Sequence, residues 1–112
     1  MIHHVYVKGD SDHVIILLHG TGGNEHDLLT LSNYIDQDAT KIGIRGRILE
    51  SGMPRYFKRL SPGIFDTENL IEETHWLKKT IESLCDQYEL NDKKLHVLGY
   101  SNGANIASSL NF

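Results

Sequence analysis

The segment "HVLGYSNGAN", residues 96–105, places a single serine between two glycines where a strand pattern gives way to a helix pattern. A serine hydroxyl is a weak nucleophile at neutral pH, so an enzyme that uses one must expose it and aim hydrogen-bond donors at the negative charge that forms. A sharp turn between a strand and a helix gives that exposure, and Gly99 and Gly103 leave room for the turn. The segment therefore predicts that Ser101 is exposed at the turn and that the backbone N–H of Asn102 lies beside it.

The rest of the chain alternates strand and helix patterns. "HVIILLHG", residues 13–20, is a short continuous apolar run, which is typical of a strand buried on both faces of a parallel sheet. We predict three further strands, the first of them at a sheet edge, over residues 3–9, 41–50 and 93–100.

Three segments show helical spacing of apolar residues, and we predict helices over residues 25–36, 67–90 and 102–110. In the first, Glu25 and Asp27 would occupy the opening turn, where the helix dipole favours acidic side chains. Its inner face would consist of Leu28, Leu31, Ser32 and Ile35. Asp66 or Thr67 is expected to cap the second helix.

Residues 51–66 hold both prolines of the chain and show no sustained periodicity, so we predict a loop there. The resulting order, β, β, α, β, loop, α, β, α, indicates a three-layer α/β/α sandwich with a mainly parallel sheet. A length of 112 residues with 39% hydrophobic residues fits one domain. We therefore predict a single domain over residues 1–112.

The net charge of −4 gives no general attraction to nucleic acid or to an acidic membrane surface. Residues 41–59 are the exception, because they carry six of the eleven basic residues of the chain together with Tyr56 and Phe57. Nucleic-acid modules also combine basic and aromatic side chains. We favour a solvated loop whose aromatic residues pack on the core or line an acyl pocket, and we expect no nucleic-acid partner.

The cysteine content and the apolar runs bear on the compartment. Cys85 is the only cysteine, so an internal disulfide is impossible. There is no charged-then-apolar leader pattern, and the longest clean apolar run, Val14 to Leu18, is too short to span a bilayer. These features predict a cytoplasmic protein without membrane insertion.

A second glycine-rich turn, within "LLHGTGGNEHDLL" at residues 17–29, follows the predicted buried strand. In acyl-transfer enzymes of this pattern, a loop after an earlier strand provides the second oxyanion donor, and the backbone N–H of Thr21 is placed for that role. A phosphate-binding loop is the alternative interpretation. The segment lacks the Lys-Ser/Thr ending of a P-loop, and Glu25 stands where a dinucleotide-binding loop has its third glycine.

With these motifs the sequence resembles the α/β-hydrolase superfamily. It is most similar to the phospholipase/carboxylesterase group, which includes acyl-protein thioesterases and bacterial hydrolases similar to dienelactone hydrolase. "VIILLHGTGGNEHDLL" resembles the oxyanion strand and loop of that group. "IGIRGRILESGMPRYFKRLSPGIFD" resembles its next strand and substrate-facing loop, and "HVLGYSNGANIA" resembles its nucleophile elbow. The likeness therefore runs through the whole chain.

The resemblance implies that Ser101 is the nucleophile and that Thr21 and Asn102 donate their backbone N–H groups to an oxyanion. It further implies support of the loop and the elbow by His19, Gly20, Gly99 and Gly103. The activity implied is hydrolysis of a small carboxylic ester, or of a thioester, through an acyl-enzyme, with no metal and no cofactor.

The sequence also departs from this family. In the fold, the triad Asp or Glu and then His follow the serine along the chain, and residues 102–112 contain none of them. No histidine before Ser101 is expected to replace them. We therefore expect an incomplete α/β-hydrolase domain that lacks its C-terminal part and is inactive alone. The alternative is a non-catalytic fragment or an assembly partner, since an open edge at strand 93–100 would favour pairing with a C-terminal half or a homo-oligomer.

Overall fold

The computed structural model describes residues 2–61 and 63–110. Its elements, in chain order, are β1 (His4–Val7), β2 (His13–Leu18), α1 (Leu29–Ile35), β3 (Thr40–Ile44), β4 (Ile48–Glu50), β5 (Met53–Arg55), β6 (Arg59–Ser61), β7 (Ile64–Phe65), α2 (Thr67–Gln87), β8 (Lys94–Gly99) and α3 (Asn102–Ala107).

The main sheet has four strands in the order β1-β3-β2-β8. β1 runs antiparallel to β3 at one edge, whereas β3, β2 and β8 are parallel. The predicted edge strand, the buried strand and the strand that leads to Ser101 are therefore confirmed. Within the described residues β8 has a single hydrogen-bonded neighbour, β2, so it forms the other edge of the sheet.

Helices cover both faces of this sheet. Alternate residues of a strand point to opposite sides, so the residues of β2 pack against helices on each face. Val14, Ile16 and Leu18 of β2 pack in one cluster with apolar residues of α2 and with Ile106 of α3. Ile15 and Leu17 point the other way and contact a smaller cluster that includes Leu28, Leu29 and Ala39. The predicted three-layer sandwich is confirmed. In the described part of the chain, no helix is both long and apolar enough to cross a membrane.

The long helix α2 follows the predicted pattern. The carboxylate of Asp66 accepts a hydrogen bond from the Asn69 N–H at 3.1 Å and so caps the first turn, as expected. Leu77, Ile81 and Leu84 recur at helical spacing and are buried against the sheet. The helix ends at Gln87, three residues before the predicted end.

The prediction for the first helix is wrong at its start and on its inner face. α1 begins at Leu29, so Glu25 and Asp27 precede it and do not occupy its first turn. Glu25 is buried and accepts two hydrogen bonds from Arg45, at 2.9 and 3.1 Å. This ion pair with a distant segment fixes residue 25 in a turn. Leu31 and Ile35 are 48% and 58% exposed, and only Ser32 of α1 is buried.

The predicted strand over residues 41–50 and the predicted loop over 51–66 are also corrected. The strand is divided, because β3 ends at Ile44 and β4 pairs with β5 in a separate hairpin. Ser51 and Gly52 form its two-residue turn, both with positive φ (51° and 80°), which is the geometry that short hairpins favour. β6 and β7 form a second hairpin within the predicted loop. The last predicted helix, residues 102–110, ends at Ala107.

An ion pair between Arg47 and Glu73 connects the segment after β3 to α2. The guanidinium lies 2.6 Å from one carboxylate oxygen and 2.9 Å from the other, and Glu73 is 1% exposed. The hydrogen bond to Glu73 raises the pKa of Arg47. The Arg47 side chain is itself 45% exposed, so solvent screens part of the interaction.

We expect Arg47→Met to lower the free energy of unfolding by about 2–4 kcal/mol, because it leaves a buried carboxylate without its partner. Urea unfolding measures the loss. The exposed pair of Lys93 and Asp12, at 3.4 Å, provides a control, and Lys93→Gln should change stability by less than about 1 kcal/mol. Equal effects of the two substitutions would contradict the role given to burial of Glu73.

Candidate active site

Ser101 lies on a strained turn between β8 and α3. Its φ and ψ are 54° and −111°, a region that residues other than glycine rarely adopt, and its side chain is exposed. The Tyr100 N–H donates to the Leu18 carbonyl at 3.1 Å, and the Gly103 N–H donates to the Tyr100 carbonyl at 3.0 Å. These hydrogen bonds hold the turn against the end of β2, so the neighbouring strand supports its unusual backbone.

The glycines around this turn lie where side chains would collide with backbone. A Cβ on Gly99 would lie 2.7 Å from the Ala104 nitrogen. A Cβ on Gly103 would overlap the Leu18 carbonyl and lie 2.6 Å from the His19 oxygen. Gly20 packs against the other side of the turn, with its Cβ position 3.5 Å from the Ser101 Cβ. The two glycine-rich segments of the sequence are therefore in contact.

A cavity of about 270 Å³ opens at this contact. Ser101, Thr21 and Asn102 all line it, so the structure brings the predicted nucleophile and both predicted oxyanion donors to one site. The remaining lining residues are Arg55, Arg59, Gly63, Phe65 and Asn105. Within the described residues, neither the Thr21 nor the Asn102 backbone N–H has a hydrogen-bond acceptor. Neither N–H is therefore engaged by another described residue.

His19 lies behind the loop rather than in the cavity. Its side chain is buried; Nε2 accepts from the Gly46 N–H at 3.0 Å, so Nδ1 carries the proton and donates to the Gly20 carbonyl at 2.6 Å. This neutral tautomer connects the loop to the end of β3. Burial lowers the pKa of His19, because desolvation disfavours the charged form.

The low pKa of His19 makes stability depend on pH. The unfolded chain binds a proton at this residue near pH 6.5, whereas the folded chain does so only at a lower pH. The unfolded state therefore holds more protons between these two values, and the free energy of unfolding should fall as the pH is lowered from about 6.5. Urea unfolding of the wild type and of His19→Gln between pH 7.5 and 5 tests this. Parallel curves for the two proteins would refute the assignment to His19.

Tyr56 connects the glycine-rich loop after β2 to the turn that carries Ser101, through hydrogen bonds to His19 and Asn102. The fully buried Tyr56 hydroxyl accepts from the His19 N–H at 3.0 Å and donates to the Ile44 carbonyl. Burial raises its pKa, so it stays protonated. The Tyr56 N–H donates to the Asn102 side-chain oxygen at 2.7 Å, while Asn102 Nδ2 is buried without an acceptor in the described part of the chain. The orientation of the predicted oxyanion residue is therefore set by a residue 46 positions away.

Sequence reasoning missed Arg55. The expectation of a solvated loop is wrong at this position, because Arg55 is only 5% exposed. Its Nη1 donates to the Thr21 hydroxyl at 2.7 Å and its Nε donates to the Phe57 carbonyl at 3.0 Å. The expected packing of Tyr56 and Phe57 on the core is confirmed, since both are fully buried. The available signal was its position directly before two aromatic residues that were expected to pack on the core.

No protein-family model matches the chain. The chain is 55% identical over 109 residues to the curated "Putative hydrolase MhqD" of Bacillus subtilis (strain 168). The alignment covers 97% of this chain and 54% of MhqD. The chain thus spans about half the length of the curated relative it matches.

Solved structures give the same result. The crystal structure of the Bacillus cereus carboxylesterase matches with a TM-score of 0.93 and 47% identity, over 97% of this chain and 52% of that one. The structure of YahD with malic acid matches with a TM-score of 0.92 and 40% identity, over 97% of this chain and 56% of that one. These relatives thus include a protein described as a putative hydrolase and a carboxylesterase, and the matched structures share the arrangement of helices on a mainly parallel sheet. This chain therefore has the α/β-hydrolase fold of these structures, and it is similar to its relatives over about half of their length.

Proposed function

We propose that this chain carries the nucleophile and the oxyanion hole of a serine hydrolase that cleaves small carboxylic esters, or thioesters, through an acyl-enzyme. The observation that carries the proposal is one cavity that contains Ser101 on a strained turn and two backbone N–H groups without acceptors in the described residues. A base would take the proton of the Ser101 hydroxyl as its oxygen attacks the ester carbonyl, and the alcohol or thiol would leave as it receives that proton. Water would then release the acid from the acyl-enzyme. The Thr21 and Asn102 amides would stabilise the oxyanion of the tetrahedral intermediate.

The base that activates Ser101 is expected outside these 112 residues. His19, the histidine nearest to the loop, uses both ring nitrogens in hydrogen bonds to Gly20 and Gly46, so it is not free to accept the serine proton. The relatives are about twice as long as this chain. We infer that a segment equivalent to the unmatched half of the relatives supplies the triad His and its acidic partner. The 112 residues alone should therefore have negligible activity, because loss of the triad histidine removes most of the rate enhancement.

A chimera tests this proposal. The 112-residue chain is joined to the part of MhqD that lies beyond their alignment, since 55% identity makes the two halves compatible. Hydrolysis of p-nitrophenyl butyrate is then measured for the chain alone and for the chimera. We expect no turnover above background for the chain and clear turnover for the chimera. A chimera that is folded by circular dichroism and inactive on short-chain esters and thioesters would refute the proposal.

A non-catalytic assembly partner is the second candidate. The open edge of β8 and the 36% exposure of Val97 on that strand favour it, because such an edge can pair with another chain. Gel filtration of the 112-residue chain distinguishes the two cases. A stable homo-oligomer together with an inactive chimera would support the assembly role.

A further inference from the structure

The cavity beside Ser101 is positively charged. Arg55 and Arg59 both line it, and the other described lining residues carry no charge. Among residues 2–61 and 63–110, Glu50 is the one carboxylate in an ion pair with these guanidinium groups, 2.6 Å from Arg59 Nη2 and 3.4 Å from Arg55 Nε. One carboxylate therefore serves two arginines, which leaves a net charge of +1 at the cavity wall.

The Arg55 guanidinium is buried, and hydrogen bonds fix its position. Its Nε and Nη1 are occupied by the Phe57 carbonyl and the Thr21 hydroxyl, and Nη2 has no acceptor among residues 2–61 and 63–110. A guanidinium with such low exposure is held in one orientation, so little entropy is lost when it binds a ligand. Arginine presents N–H groups in a planar fork that matches a carboxylate.

The size of the cavity restricts the ligand. A volume of about 270 Å³ holds roughly nine water-sized atoms, if each takes about 30 Å³. Ser101 and both arginines line this one cavity, so an ester bound beside Ser101 shares its volume with the two guanidinium groups. A small ester with an anionic end fits both the volume and the charge.

We propose that Arg55 and Arg59 select esters that carry a carboxylate, such as half-esters of short dicarboxylic acids, over neutral esters of the same size. This inference rests on the proposed function, because it assigns the substrate class of the same site. Arg55 is the specificity-determining residue, since its fork is fixed by Thr21, and Arg59 adds charge. The expected preference is about tenfold or more in affinity, the range of a hydrogen bond between charged groups.

Binding without turnover tests the proposal. The 112-residue chain and the chimera, each with Ser101→Ala, are titrated with monomethyl glutarate, which is a monoanion at pH 7, and with neutral dimethyl glutarate. Isothermal titration calorimetry or amide chemical shifts give the affinities. We expect the monoanion to bind about tenfold more tightly in each protein. Equal affinities for the two esters would overturn the proposal, even if the chimera hydrolyses p-nitrophenyl butyrate.

Two arginine variants assign the preference. Arg59→Gln, at a partly exposed side chain, and Arg55→Lys, which keeps the charge but loses the fork, should each weaken monoanion binding about tenfold and leave the neutral ester unchanged. Lys79→Gln, at an exposed position on α2 outside the cavity, is the matched control and should change neither affinity. Loss of affinity for both esters in either arginine variant would show a structural role and refute the assignment.

Inorganic phosphate identifies the kind of anion. It should compete with monomethyl glutarate only weakly, because the proposed site fits a planar carboxylate. Stronger binding of phosphate than of the half-ester would overturn the carboxylate assignment. An inactive chimera that keeps the monoanion preference would instead refute the proposed function, and the two arginines would then account for anion binding but not for the choice of a substrate.

Discussion

Replacing Ser101 with alanine in the chimera is expected to lower kcat for p-nitrophenyl butyrate by roughly four to six orders of magnitude. The proposed mechanism forms a covalent acyl-enzyme at the Ser101 oxygen, and alanine has no atom that can accept the acyl group. The substitution removes one exposed oxygen from a turn whose main-chain hydrogen bonds involve Tyr100, Gly103 and the Ser101 carbonyl, so the fold should be unchanged.

Stopped assays of initial rate, with circular dichroism and thermal unfolding of each protein, measure this loss. Ser109→Ala is the matched control, since Ser109 is an exposed serine that does not line the cavity. It should keep full activity. A Ser101→Ala chimera with more than about one hundredth of the parent rate would contradict the assignment of the nucleophile, because removal of a single oxyanion donor already costs about that much.

Replacing Gly103 with alanine is expected to have the largest effect on stability. The new Cβ would overlap the carbonyl of Leu18 and lie 2.6 Å from the carbonyl oxygen of His19. Both are backbone atoms at the end of the central strand, so no rotamer change relieves the collision. The start of α3 would have to move away from β2, and we expect the free energy of unfolding to fall by at least about 3 kcal/mol.

Gly52→Ala is the control for Gly103→Ala. Gly52 has φ of 80° but no atom within 4 Å of its Cβ position, so alanine there meets only backbone strain, about 1–2 kcal/mol. Urea unfolding of the two variants separates a collision from a conformational cost. Equal losses in the two variants would show that α3 approaches β2 less closely than the structure places it.

Local patterns predicted the elements whose residues interact mainly with their near neighbours or with any apolar surface. The continuous apolar run of β2 predicted a buried strand, because a strand covered by helices on both faces needs apolar residues in both directions. The periodicity of α2 and its cap at Asp66 predicted a long helix. The spacing of Gly99 and Gly103 around Ser101 predicted a tight turn, since glycine is required where backbones approach closely.

Local patterns failed where a contact with a distant segment decides the backbone. The predicted start of the first helix at residue 25 is wrong because Glu25 is buried against Arg45, and no propensity of residues 25–28 encodes that ion pair. The hairpins of β4 to β7 have strands of two or three residues, too short for alternation to be recognised. The predicted solvation of Arg55 is wrong because its partners are Thr21 and the Phe57 carbonyl.

Sequence patterns alone established a serine at a tight turn between a strand and a helix, and a glycine-rich loop after an earlier buried strand. Those properties depend on side-chain size and apolar spacing within about ten residues. The three-dimensional fold was needed to show that residues 21, 55 and 101 line one cavity, and that two arginines give this cavity a positive charge. Residues 21 and 101 meet because the parallel strands β2 and β8 bring their carboxyl ends to one edge of the sheet, whatever their separation along the chain. Residue 55 reaches them on the hairpin of β4 and β5, where its side chain donates a hydrogen bond to the Thr21 hydroxyl.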